Sequence, residues 1–108
     1  MNNSKGENLY GLNATVIQKI QTVFAHYPSI ETALLYGSRA MGTYHNGSDI
    51  DLTFLGKTLT ADVLYRLDDE LDDLLLAYSF DLSLHQEIDN PSLLDHIQRV
   101  GRVFYQKN

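Results

Sequence analysis

Residues 32–54 read TALLYGSRAMGTYHNGSDIDLTF, two strand-like runs around a glycine-broken centre, and that arrangement decides the fold. Thr32-Ala33-Leu34-Leu35-Tyr36 is short, apolar and stopped by Gly37, which suits a buried strand better than a helix. Asp49-Ile50-Asp51-Leu52-Thr53-Phe54 alternates polar and apolar, as a strand does with one face on a core and the other toward solvent or a site. Both carboxylates fall on that second face. Gly37, Gly42 and Gly47 make the link between the runs a loop, with one helical turn expected at Ser38 to Met41. So compact a link suits antiparallel pairing of the two strands.

Working outward, Val16, Ile17, Ile20, Val23 and Phe24 recur at helical spacing, with Asn13 placed to cap and Pro28 marking the exit, so a helix is expected over 14–26. From Thr60, a candidate N-cap, the stripe Val63, Leu64, Leu67, Leu71, Leu74, Leu75 and Tyr78 predicts a long amphipathic helix, with the acidic residues of 68–73 largely off it. Phe80 to Gln86 alternates again and reads as a third strand, with Asp81 and His85 on one face. Asn90-Pro91 opens a last helix stopped by Gly101, and Val103-Phe104-Tyr105 closes as a strand or extended tail. A strand, a long helix and another strand make a crossover unit, so the second and third strands should be parallel. The expectation is an α/β (α+β) chain with a small mixed sheet, in which Gly37, Asp49, Asp51 and Asp81 converge on one sheet edge. Residues 1–108 read as a single domain without repeat or linker, with residues 1–11 expected to be flexible.

Hydrophobic residues at 44% and charged residues at 20% of 108 match one small globular core. The formal net charge of −6 argues against a basic footprint for wrapping duplex nucleic acid, since such binding rests on neutralising phosphates. With no cysteine there is no thiolate or disulfide chemistry, and a metal must be held by oxygen or imidazole. The polar start MNNSKGEN lacks the order of a signal peptide, and no apolar run approaches a membrane span, so a cytoplasmic protein without membrane contact is expected.

Two aspartates two residues apart on a strand stand about 7 Å apart along the chain and can share hard divalent cations, and a third carboxylate, Asp81, completes the set. Such a cluster suits Mg²⁺, with Mn²⁺ as an alternative, together with the phosphates of a nucleoside triphosphate. Gly37-Ser38 supplies the complementary half, because glycine allows close backbone approach and amides opening a helical turn point at phosphate oxygens.

Gly37-Ser38-Arg39-Ala40-Met41-Gly42 followed by Ser48-Asp49-Ile50-Asp51 resembles the signature of the nucleotidyltransferases typified by DNA polymerase beta, and within them the minimal nucleotidyltransferases. That resemblance implies the α-β-(short α)-β-α-β-α nucleotidyltransferase fold. It implies that Asp49, Asp51 and Asp81 are the catalytic and metal-binding triad, Asp81 also assisting deprotonation of the acceptor. Gly37, Ser38, Arg39 and Ser48 fall to nucleotide binding. Met41 stands where many relatives carry arginine, which leaves Arg39 as the local cation. The implied activity is transfer of a nucleoside monophosphate, AMP from ATP, to an acceptor hydroxyl. Relatives of this size pair with a HEPN-type protein, so a hetero-oligomer acting as antitoxin or catalytic subunit is expected. The alternative is an antitoxin that neutralises its partner by occlusion without turnover.

Competing readings of the same residues are weaker. Counting Asp49 as the first position of an EF-hand puts Phe54 where glycine and Thr60 where glutamate are needed. Gly42 is followed by Thr43 and Tyr44, not by the lysine of a Walker loop. The acidic run at 68–73 reads as a solvated helix face. His85 shares a face with Asp81, but a lone histidine on a strand is more often satisfied locally, and His26, His45 and His96 carry less weight still.

Overall fold

A four-stranded mixed sheet carries the molecule, and the strands that the glycine-broken stretch predicts are its two central ones. The computed structural model describes residues 8–108. In chain order the elements are β1 (Asn8–Leu9), β2 (Leu12–Asn13), α1 (Ala14–Ala25), β3 (Thr32–Tyr36), α2 (Ser38–Met41), β4 (Ile50–Leu55), α3 (Ala61–Asp72), β5 (Phe80–Leu84), a 3₁₀ turn (His85–Glu87), α4 (Pro91–Val100) and β6 (Arg102–Gln106). The strand order is β5-β4-β3-β6, with β3 antiparallel to both β4 and β6, and β4 parallel to β5. Mixed pairing and the crossover through α3 match the expectation, and the closing segment is a strand on the β3 edge.

The pleat divides the sheet into two faces of different chemistry. Ala33, Leu35, Ile50, Leu52, Phe54 and Leu84 are buried in the core that Ile20, Val23 and Phe24 of α1 and Leu67 and Leu71 of α3 complete. Phe24 meets Phe54, Phe104 and Tyr105 edge-on, at centroid distances of 5.2, 6.2 and 5.6 Å. The register pairs Tyr36 with Asp51 and Asp51 with Asp81, then Thr53 with Ser83, so these five side chains share the opposite face. There the fully buried Thr53 hydroxyl accepts from Ser83 and donates to the Ser83 carbonyl, so its own hydrogen-bonding capacity is met.

Three expectations need amendment. The expected flexible start lies, for residues 1–7, outside the described residues. Residues 8–13 form a two-stranded ribbon turned at Tyr10 and Gly11, both at positive φ as a tight hairpin requires, with Leu12 fully buried. The helix from Thr60 stops at Asp72 rather than running to Tyr78. Its last turn gathers Asp69, Glu70 and Asp72 with no basic residue, against the negative end of the helix dipole, and Leu75 then takes φ 56° and is 89% exposed. Thr60 has the extended backbone of an N-cap but no side-chain capping bond, whereas Asn13 caps α1 and Asn90 caps α4 as expected. β5 ends at Leu84, so His85 opens the 3₁₀ turn and leaves the alternation it was expected to share with Asp81.

Candidate active site

The site begins at the end of β3. Gly37 adopts φ 76° and ψ −158°, a conformation costly to any residue with a Cβ, and a Cβ placed there would run into the Asp51 carboxylate. The Gly37 carbonyl accepts from Met41, closing the single turn of α2, whose exit is Gly42 in the left-handed conformation. Gly37 and Ser38 therefore stand directly beside Asp51, with α2 beginning there, as the sequence predicts. Asp49 precedes β4 by one residue and is exposed, Asp51 is half-buried within β4, and Asp81 is exposed on β5.

The electrostatics record the crowding. Burial holds the Asp51 carboxyl above the ordinary carboxylate range, and the negative charges of Asp81 and Asp49 push it further up, while Arg39 and, whenever its ring is protonated, His96 oppose them. Tyr36 is likewise held above the usual phenol range, first by burial and then by the charge of Asp81. Asp51 thus feels both of the other predicted carboxylates. Among the described residues, however, no three His, Asp or Glu side chains close on one point as an ion's cage would need. A cavity of about 720 Å³ opens at the β5 side, lined by Asp49 and Asp81 together with Leu64, Tyr65, Phe80 and Ile88.

Two of the predicted nucleotide-binding side chains are engaged elsewhere. Arg39 is buried, donates from Nε and from one terminal nitrogen to the Ser48 carbonyl at 3.1 and 2.9 Å, and from the other to the Tyr10 carbonyl at 2.9 Å. Its guanidinium also lies 5.4 and 5.2 Å from the ring centroids of Tyr44 and Tyr78. Arg39 is a loop anchor that ties the Ser48 turn to the N-terminal ribbon, and it acts on Asp51 through its charge. The nucleotide-binding role expected of Arg39 as the local cation would have to compete with these carbonyl bonds. The Ser48 hydroxyl accepts from the His45 amide at 3.0 Å, so it closes its own turn. Met41 is half-exposed beside them.

One residue at the site was given little weight in the sequence. His96, from the middle of α4, accepts the Gly37 amide hydrogen at Nε2 with an N···N distance of 3.0 Å and meets the Tyr36 ring edge-on at 6.1 Å. Its only sequence signal is its place one residue before the buried Ile97 on an amphipathic helix.

The family model described as "Polymerase beta, Nucleotidyltransferase" matches residues 18–108. No protein of curated function matches the chain. Among solved structures, the chain is 24% identical to a chain of a toxin–antitoxin crystallised with AMP-PNP, covering 85% of this chain and 74% of that one at a TM-score of 0.68. It is 26% identical to a chain of a mutant of the toxin–antitoxin pair MntA–HpeT, covering 90% and 75% at a TM-score of 0.64. It is 20% identical to a chain of the tri-AMPylated Shewanella oneidensis HEPN toxin in complex with MNT antitoxin, covering 86% and 71% at a TM-score of 0.62.

Proposed function

Since this chain belongs to the polymerase beta nucleotidyltransferase family, we propose that it transfers AMP from ATP to a hydroxyl of a HEPN-type protein, with which it pairs as an antitoxin in the cytoplasm. The observation that carries the reading is the register Tyr36–Asp51–Asp81, which stands two carboxylates side by side behind the Gly37 turn, with Asp49 two residues before Asp51. Relatives of similar fold support the substrate and the partner, one crystallised with AMP-PNP and another holding an AMPylated HEPN toxin.

Asp49, Asp51 and Asp81 would hold the magnesium. The donor set fits, because mutual repulsion among the carboxylates, felt at Asp51, is what a divalent cation relieves. When bound, Mg²⁺ supplies charge neutralisation at the phosphates and lowers the pKa of the acceptor hydroxyl. Gly37 lets the triphosphate approach the backbone, and the first amides of α2 face its oxygens. The cavity beside Asp81 admits the acceptor. Asp81 takes the hydroxyl proton, the acceptor oxygen bonds to the α-phosphorus, and the bond to the bridging oxygen of pyrophosphate breaks. The product is a phosphodiester on the acceptor plus pyrophosphate. Residues 1–108 act as one nucleotidyltransferase domain, and the acceptor-gripping surface comes from the partner, which makes the working form a hetero-oligomer.

The test is mass spectrometry of the product of the gene neighbouring this chain's own, after incubation with the protein, ATP and Mg²⁺. Addition of AMP, lost with Asp49→Ala, is the expected result. An unmodified partner that is still neutralised by the Asp49→Ala variant would establish occlusion instead.

A further inference from the structure

Gly37 is gripped on three sides, and only two of them take part in the function proposed above. Its carbonyl closes α2 through Met41, and its Cα lies against the Asp51 carboxylate. Its amide hydrogen goes to His96, 59 residues further along the chain and on a different element. To accept that hydrogen, His96 Nε2 must be unprotonated, so the neutral ring carries its proton on Nδ1. The same ring is set at 80° to the ring of Tyr36, the residue that β3 pairs with Asp51. The plane of the 36–37 peptide is therefore held from α4, and what that peptide orients is the start of α2 on one side and the Asp51 carboxylate on the other.

We infer that His96 is a positioning residue of the nucleotide site: through the Gly37 amide it locks the β3–α2 turn, so that α2 and Asp51 stand in register before a nucleotide arrives. This rests on the reading of Gly37 and Asp51 as nucleotide and metal machinery. His96 need not touch the substrate. A histidine present only to fill space between α4 and β3 would be replaceable by an apolar side chain of similar size, whereas a positioning histidine is replaceable only by a side chain that offers an acceptor at the same reach. Removing such a partner leaves a half-buried amide unpaired and the peptide free to rotate. Losses on removing residues that orient a binding shell run to about 10–100-fold.

The experiment compares His96→Leu with His96→Gln, whose side-chain carbonyl can accept from the Gly37 amide, in the full chain with its partner. Circular-dichroism melts establish that each variant is folded. The expected result is about a tenfold loss in kcat/KM for ATP in His96→Leu, carried mostly by KM, and recovery to within about threefold in His96→Gln. Nuclear magnetic resonance of the ¹⁵N-labelled chain reads the cause directly: the Gly37 amide should move upfield and exchange at least about tenfold faster in His96→Leu, but not in His96→Gln. Equal losses in the two variants overturn the inference. So does tighter ATP binding in His96→Leu, which would mean that His96 competes with phosphate for the amide. Should the wild-type chain transfer no nucleotide at all, the proposed function falls while the Gly37 resonance still decides the role of His96; a resonance unmoved in His96→Leu sinks it.

Discussion

Glu70 and Asp51 are carboxylates on neighbouring layers of one small domain, and the fold treats them in opposite ways. Glu70, on α3, accepts from the Tyr27 hydroxyl at 2.6 Å and lies 2.5 Å from His26 Nδ1, so its carboxyl is held below its ordinary range, chiefly by the Tyr27 bond. Asp51 is half-buried with Asp49 and Asp81 as neighbours, and its carboxyl is held above the ordinary range. A carboxylate that braces the packing of α1 on α3 is given donors. On the function proposed above, a carboxylate kept for a ligand is left short of positive charge, and the domain would carry that cost until the ligand supplied it.

The sharpest way to break the comparison is Asp51→Asn. Nucleotidyl transfer should fall by about 10³-fold, the order that several kcal/mol of lost charge stabilisation implies, while the metal-free protein melts higher by about 2–4 °C. The pH dependence follows from the raised carboxyl. Between the ordinary range and the raised value the folded chain holds more protons than the unfolded one, so metal-free stability drops as pH rises through that window. Asp51→Asn should flatten the slope. A variant that melts lower at neutral pH and keeps the slope would show that Asp51 is a structural carboxylate like Glu70.

Gly37→Ala comes next. The strained φ and the collision with Asp51 should cost about 1–3 kcal/mol, visible in thermal melts, and turnover should fall with it. Unchanged melting would mean that the turn relaxes and that the contact with Asp51 is loose. Arg39→Lys should be milder. One ammonium cannot serve both the Ser48 and the Tyr10 carbonyls, so about 1–2 kcal/mol is expected to be lost, with nucleotide affinity changed less than stability. Affinity falling by far more than stability would return Arg39 to the phosphates.

These contrasts mark how far the sequence reaches. β3, β4 and β5 were legible because their alternation is set by local burial, and the two-residue spacing of Asp49 and Asp51 places them on one face whatever the tertiary detail. The convergence of Gly37, Asp51 and Asp81 followed from strand direction alone. The end of α3 was misjudged because apolar periodicity continues past the point where clustered carboxylates oppose the helix dipole. The anchoring of Arg39 could not be read because its partners are backbone carbonyls, and a carbonyl at Tyr10 or Ser48 leaves no trace in residue identity. His96 was given little weight for the same reason, since the Gly37 amide it accepts from lies 59 residues away and every residue but proline has one.

The smallest effect expected is at Glu70, and it tests the other half of the comparison. Glu70→Gln keeps the shape and removes the charge that the Tyr27 hydroxyl and His26 face. Because the pair is largely at the surface, about 0.5 kcal/mol or less should be lost at neutral pH. The lowered carboxyl fixes the direction: its contribution is fully present above the ordinary glutamate range and disappears as pH falls through the depressed value. Wild type and Glu70→Gln should therefore differ slightly in melting temperature at neutral pH and converge in acid. The Asp51 pair should also converge in acid, where the wild-type charge that destabilises is neutralised, but with the opposite sign: Asp51→Asn melts above wild type at neutral pH and Glu70→Gln below it. If both variants melt on the same side of wild type at neutral pH, the distinction between a braced carboxylate and one reserved for a ligand does not hold in this fold.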